Sequence, residues 1–379
     1  MPSEKQHLEN KENPFAEAAE LLASSDFESA RIIIESLEGS ADSDPEFFFL
    51  KALLKYNLGA LDLAVGLFEK AAELDPNDFR FRFNKGIVLQ ESGKFEAAAA
   101  EYKSALALKP NDPELHNNLA GVLFRAGNTD EALSHINLAL ENSEDPGIYN
   151  NLGVILGGKK EFSAAADAFR KAVERRPDYH EAWYNLGTEY LRAGDSHEAS
   201  VSFQRCIDLD PEFSDAYRGM GDVYSRHNPE KALSFYEKSL SLENDDVYAS
   251  ASAGSMCTLT GEYLRAEYFF KKACRLLPEN LSYAASVLEI MIIRGEYQSA
   301  LRFAESCRGF SEDPRQVPLY CRILLLNKEE EAFFDLLNKA SLWKDGYPDS
   351  VISLSGEVEE IFGKDKAESM IAICGSSAE

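Results

Sequence analysis

The sequence predicts an all-α chain, a solenoid made by stacking antiparallel helical hairpins. Three observations carry this. Prolines at 76, 110, 177, 211 and 278 lie 34, 67, 34 and 67 apart, and 67 is one period of 34 plus one of 33. An alanine column keeps the same period upstream of them. Between these markers, apolar residues recur at helical spacing and are interrupted by short, glycine-containing turns. A fixed period has to be recognised before length is divided into domains: 379 residues would otherwise suggest two or three domains at about 150 residues each.

The second helix of each hairpin is the better marked. Twelve residues before each proline, or before the turn-like NSEDP and LENDD that replace it near 144 and 244, stand Ala64, Ala98, Ala132, Ala165, Ala199, Ala232 and Ala266. Four residues on come Phe68, Tyr102, Ile136, Phe169, Phe203, Tyr236 and Phe270. Three further on come Ala71, Ala105, Ala139, Ala172, Cys206, Ser239 and Ala273. Steps of four and three put all three columns on one helical face, and the small residues let a neighbouring backbone approach. The first helix is clearest at Trp183, Leu186, Gly187 and Tyr190, a second apolar stripe. The turns between helices read ESGK at 91–94, RAGN at 125–128 and RAGD at 192–195, with glycine supplying positive φ. At 226–229 the turn is RHNP, one residue shorter, and Pro229 opens the next helix.

This pattern resembles the tetratricopeptide repeat, W-x2-L-G-x2-Y, then A-x3-F, then P, at a 34-residue period. The resemblance is best over 45–280. Weaker units flank it at 13–44 (Ala30, Ile34, Leu37) and 281–313 (Ala300, Ala304, Cys307), making about nine repeats over 13–313. Residues 1–12 form a polar tail. Residues 314–379 read as degenerate hairpins, with helices at 315–326, 328–342, 349–362 and 364–373, capping the array because its ends need a polar face. The resemblance implies a right-handed superhelix whose concave face is lined by the first helix of each pair.

Composition narrows the function. The formal net charge is −26 and the pI near 4.7, which opposes binding to nucleic acid or an anionic membrane. No stretch reaches 18 apolar residues and the N-terminal MPSEKQHLENKEN has no apolar signal core, so a cytoplasmic protein is expected. The six cysteines show no C-x-x-C pair and read as buried, reduced thiols, with Cys206 and Cys307 in the small-residue column. Asn280-Leu-Ser matches a glycosylation sequon by chance. The six histidines show no i, i+4 pairing, and Gly157-Gly158-Lys159-Lys160 lacks the spacing of a phosphate loop. No enzyme activity, metal or cofactor is expected.

One polar column stands out. Asn84, Asn118, Asn151 and Asn185 each fall two residues before the Gly or Ala contact position. Asn185 lies about 200° round the helix from Trp183, on the side of Glu181, Thr188 and Arg192. Asparagine is a mediocre helix former, about half a kcal/mol worse than alanine, so four copies in register need a reason. One reason is a ladder of amides offered to the backbone of an extended peptide, resembling the repeat superhelix of the O-linked N-acetylglucosamine transferases without their catalytic domain. The other is inherited consensus, or bonding to an adjacent helix. A carboxylate clamp for chaperone tails is not formed: its positions hold Phe83, Ile87, Asn118, Gly147 and Asn151. Phe79-Arg-Phe-Arg-Phe83 and Phe47-Phe48-Phe49 fall in register with first helices.

The expectation is therefore a non-catalytic scaffold gripping an extended segment of a partner protein. Its groove would use Asn84, Asn118, Asn151 and Asn185 for the backbone, with Thr188 beside them and Arg80, Arg125 and Arg192 reading side chains. Self-association through the terminal hairpins, and a sensor closing on a small ligand or short signalling peptide, are the alternatives.

Overall fold

The computed structural model describes residues 14–41, 43–339 and 349–375. The polar tail 1–12, positions 340–342 of the expected helix 328–342 and the last residues of the chain lie outside them. Every element among the described residues is a helix, and no helix is long and apolar enough to cross a membrane. The chain divides into two compact units, Met1–Asp195 and Ser196–Glu379.

The first unit holds α1 (Pro14–Ala23), α2 (Phe27–Ser36), α3 (Pro45–Asn57), α4 (Leu61–Leu74), α5 (Phe79–Glu91), α6 (Phe95–Leu108), α7 (Pro113–Arg125), α8 (Thr129–Asn142), α9 (Pro146–Gly158), α10 (Phe162–Arg175) and α11 (His180–Arg192). The second holds α12 (Ser196–Leu209), α13 (Ser214–Tyr224), α14 (Pro229–Leu242), α15 (Val247–Leu259), α16 (Tyr263–Leu276), α17 (Leu281–Ile293), α18 (Tyr297–Ser306), α19 (Val317–Leu326), α20 (Glu330–Leu337), α21 (Asp349–Ile352), α22 (Ser355–Phe362) and α23 (Lys364–Gly375). Within each unit neighbouring helices pair as hairpins, from α1–α2 to α9–α10 and from α13–α14 to α19–α20, and successive hairpins pack on one another, with α11 packed on α10 and α12 on α13.

The three columns of the second helices form the core. Ala64 to Ala266, Phe68 to Phe270 and Ala71 to Ala273 are buried in all seven hairpins, each large side chain contributing about 1.5–3 kcal/mol. The aromatic ring needs a notch in the facing first helix, and glycine supplies it opposite Tyr102, Phe169, Tyr236 and Phe270. A Cβ on Gly153 would sit 2.6 Å from the Phe169 ring, far inside van der Waals contact.

The turns close by a shared device. In hairpin α5–α6 the Lys94 N–H donates back to the Leu89 carbonyl at 2.9 Å, and Gly93 takes φ 71°. The turn thus caps the first helix in a Schellman-like way while aiming the chain into the second. Ser25, Lys160 and Lys328 adopt the same positive φ without being glycine. The RHNP turn does not: α13 stops at Tyr224, Ser225 stays in the right-handed helical region, and Asn228 caps α14 by accepting from the Lys231 N–H at 3.0 Å.

Two expectations need correction. The helix expected over 349–362 is two helices, broken at Ser353–Leu354, where the Leu354 N–H donates to the Val351 carbonyl three residues back at 3.0 Å. Cys307 is half-buried rather than buried, because α18 ends at Ser306 and Cys307 is its extended cap. Cys274 is also half-buried. The sequence Phe79–Phe83 opens α5 as a helix, and Phe47, Phe49 and Phe81 are buried.

Candidate functional site

The asparagine column sits on successive first helices of the first unit: Asn84 on α5, Asn118 on α7, Asn151 on α9 and Asn185 on α11. All four are half-buried, and three have committed their amide N–H groups. Asn84 donates to the Arg80 carbonyl at 2.8 Å within its own helix. Asn151 donates to Asn117 Oδ1 at 2.9 Å and Asn185 to Asn150 Oδ1 at 3.0 Å, each reaching the preceding first helix. Asn118 makes no side-chain hydrogen bond among the described residues. The column therefore knits first helices together while leaving the Asn84, Asn151 and Asn185 carbonyl oxygens, and the whole Asn118 amide, unengaged by hydrogen bonds among these residues.

The charged and hydroxyl candidates divide more sharply. Arg80 is held by Asp78 at 2.6 Å and by Glu46 at 2.8 Å across to α3, and its guanidinium lies 4.9 Å from the Phe49 ring centre. It pins two hairpins. The Arg80 pKa is raised by Asp78 and Glu46, against an opposing push from burial. Arg192 pairs with Glu189 at 2.6 Å, and Thr188 donates to the Tyr184 carbonyl at 3.1 Å. Arg125 alone among the three arginines is exposed with no ion-pair partner among the described residues.

Asn118, Asn151 and Arg125 come together in one trough of about 440 Å³ spanning α5, α7 and α9. Gln90, Glu91 and Phe95 form one wall, Gly121, Phe124 and Arg125 the middle, and Val154 and Ile155 the other. Gly121 has open space where its Cβ would be, so the trough reaches the α7 backbone. Glu91 accepts from the Tyr56 hydroxyl, and burial with this neighbour pushes the phenol up to about 12. Asn84, Asn185, Thr188, Arg80 and Arg192 do not line it.

Some features were outside the sequence reading. Asn117 and Asn150 are the acceptors that hold the column, and the Asn117-Asn118 and Asn150-Asn151 doublets were the available signal. His116 and His135, 19 positions apart, stack with Nδ1 atoms 2.9 Å apart, while His116 Nε2 lies 2.9 Å from the Pro110 carbonyl. His116 donates from Nε2 to that carbonyl, and the two Nδ1 atoms share a single hydrogen bond. Burial, with the neighbouring His116, lowers the His135 pKa. Among the described residues no group of three or more His, Cys, Asp and Glu side chains is placed to hold a metal.

No curated protein sequence matches the chain. Among solved structures, a tetratricopeptide repeat protein from Parabacteroides merdae aligns at 21% identity and a TM-score of 0.53, covering 65% of this chain and 98% of that one. PilF of Pseudomonas aeruginosa aligns at 20% identity and a TM-score of 0.49, covering 54% and 94%. YrrB, described as a TPR protein with an unusual peptide-binding site, aligns at 26% identity and a TM-score of 0.40, covering 48% and 95%. The first of these likenesses establishes the hairpin fold. Tetratricopeptide repeat models match residues 15–79, 83–147, 151–188 and 180–213. Arrays of this repeat are scaffolds for protein interaction, and with matches over just more than half of its length the chain belongs to the tetratricopeptide repeat family.

Proposed function

We propose that the protein is a non-catalytic scaffold that receives an extended segment of a partner protein in the trough of α5, α7 and α9. The observation that carries this reading is the division of labour in the polar column. Most of its groups are tied to the protein itself, whereas the Asn118 amide and the Arg125 guanidinium face one trough without a partner among the described residues. An amide that the protein itself leaves without a hydrogen bond can both accept from and donate to a peptide backbone. The Asn84, Asn151 and Asn185 carbonyls extend the same register as acceptors, so the segment lies along the first helices. Arg125 then selects an acidic or polar side chain opposite Phe124, whereas Arg80 and Arg192, already paired, serve the scaffold.

The test is affinity capture from the native lysate, followed by direct titration of the captured protein's binding segment. An Asn118→Ala, Arg125→Ala double variant is expected to bind at least tenfold more weakly with unchanged helical circular dichroism. Equal affinity for both proteins would remove the trough from consideration.

A further inference from the structure

In the second unit the repeat is missing a side chain, and the gap is a cavity of about 620 Å³ at α16, α17 and α18. Six residues after three of the turn prolines, a side chain reaches back to the proline carbonyl. His116 Nε2 lies 2.9 Å from the Pro110 oxygen, Trp183 Nε1 donates to Pro177 at 2.9 Å, and the Tyr217 hydroxyl donates to Pro211 at 3.2 Å. A fourth proline, Pro76, has Arg82, which turns instead to Glu101 at 3.5 Å. At Pro278 the position is Ala284, and the Pro278 carbonyl accepts no hydrogen bond from a described residue. The residue that covers the ring has gone too. Lys171 lies 5.6 Å from the Tyr149 ring centre and Lys238 the same distance from that of Tyr217, but the corresponding position of α18 is Ser306. Ala284 and Ser306 both line the cavity, with Leu281 and Phe303.

The rim has a charge of its own. Of its three cations, Lys271 is paired with Glu267 at 2.7 Å. Arg275 and Arg308 are exposed and have no ion-pair partner among the described residues. Tyr268 at the edge and Leu264 one turn before it are 58% and 68% exposed, which extends the apolar surface outward along α16.

We propose that this cavity receives an aromatic side chain from an acidic segment of a partner protein. The ring takes the place that His116, Trp183 and Tyr217 fill in their own hairpins, a tryptophan or tyrosine donates to the Pro278 carbonyl, and flanking carboxylates engage Arg275 and Arg308. The site is in a different unit from the trough of α5, α7 and α9 and does not depend on it. The fit follows from the repeat itself: the same backbone accepts an aromatic donor elsewhere, and apolar pockets with a few placed polar groups are the usual receptors for such anchors.

The probe is the capped peptide acetyl-Glu-Asp-Trp-Asp-Glu-amide carrying 5-fluorotryptophan, titrated with the full chain and followed by its ¹⁹F resonance. Saturable binding is expected, at least tenfold weaker for Arg275→Ala with Arg308→Ala, and lost for Ala284→Trp, which fills the cavity from within. Ser306→Lys blocks the same space from an exposed position and serves if Ala284→Trp fails to fold. The trough variant Asn118→Ala, Arg125→Ala should bind the probe like wild type. The proposal is overturned by no binding to the wild-type chain, by equal binding of a peptide with alanine in place of tryptophan, or by unchanged binding to the cavity-filling variants.

Discussion

Glu189 occupies a position that is apolar in the other hairpins: Leu54, Val88, Val122, Ile155, Val223, Met256 and Ile290 fill it, all buried. The carboxylate is 4% exposed, one oxygen pairs with Arg192, and the other has no hydrogen-bond partner. Burial raises its pKa, with Arg192 opposing. A carboxyl that holds its proton more tightly when folded costs stability only where the unfolded chain would ionise it. The penalty is absent well below the ordinary value of 4.5, grows as pH rises through 4.5 to the raised folded value, and is constant above. Glu189→Val should therefore stabilise the protein by about 1–3 kcal/mol near pH 7, with the gain shrinking in urea melts below pH 4.5; a destabilised variant at pH 7 would mean that the Arg192 pair outweighs burial. The asparagine column was legible because helical periodicity gives direction. Its partners Asn117 and Asn150 were not, since a helical wheel says which way a side chain points and not which neighbour it meets. The free state of Arg125 and the pairing of Arg80 and Arg192 depend on Asp78, Glu46 and Glu189, whose placement the repeat does not dictate.

Through α18, most first and second helices begin differently, the exceptions being Asp26 and Asn228, which cap α2 and α14, and Tyr179 and Phe213, which leave α11 and α13 without a side-chain cap. Asp44, Asp78, Asp112, Asp145, Asp246 and Asn280 cap first helices by accepting from N–H groups two or three residues on. Ala60, Lys94, Asn128, Glu161, Glu262 and Glu296 precede second helices and make no such bond. The turn into a second helix is already fixed by its bond back to the first, as Asn128 N–H to the Leu123 carbonyl at 2.8 Å. Asp112 accepts from both Glu114 and Leu115, so Asp112→Ala should cost about 1 kcal/mol. Asn128→Ala should change denaturant midpoints little, although residue preference alone would rank the two caps as equals. The hairpins over 45–280 were legible because every unit repeats the three columns and all but the RHNP unit repeat the same turn. Beyond Pro314 the columns lapse, and no period announces the break at Ser353–Leu354.

At the scale of the whole molecule, a net charge of −26 opposes compaction, and its repulsion reaches about 10 Å at 0.1 M salt but only about 3 Å at 1 M. Ion pairs exposed on both sides, such as Arg31 with Glu28 and Lys70 with Glu73, contribute about 0–1 kcal/mol each. Repulsion should win: the thermal midpoint is expected to rise between 10 mM and 1 M sodium chloride (about 30 Å to 3 Å of screening length), and a fall would show that the surface pairs dominate. All six cysteines lie within Ser196–Glu379. Burial pushes the thiols of Cys257 and Cys274 up to about 11 and that of Cys321 up to about 12. Because the thiolate is the reactive form, an alkylating reagent at neutral pH meets almost none of it at these three sites while the unit stays closed. The rate of alkylation at the buried Cys257 and Cys321 is then a clock: the native chain carries its own stopwatch for the opening of residues 196–379 and stays silent about everything before them.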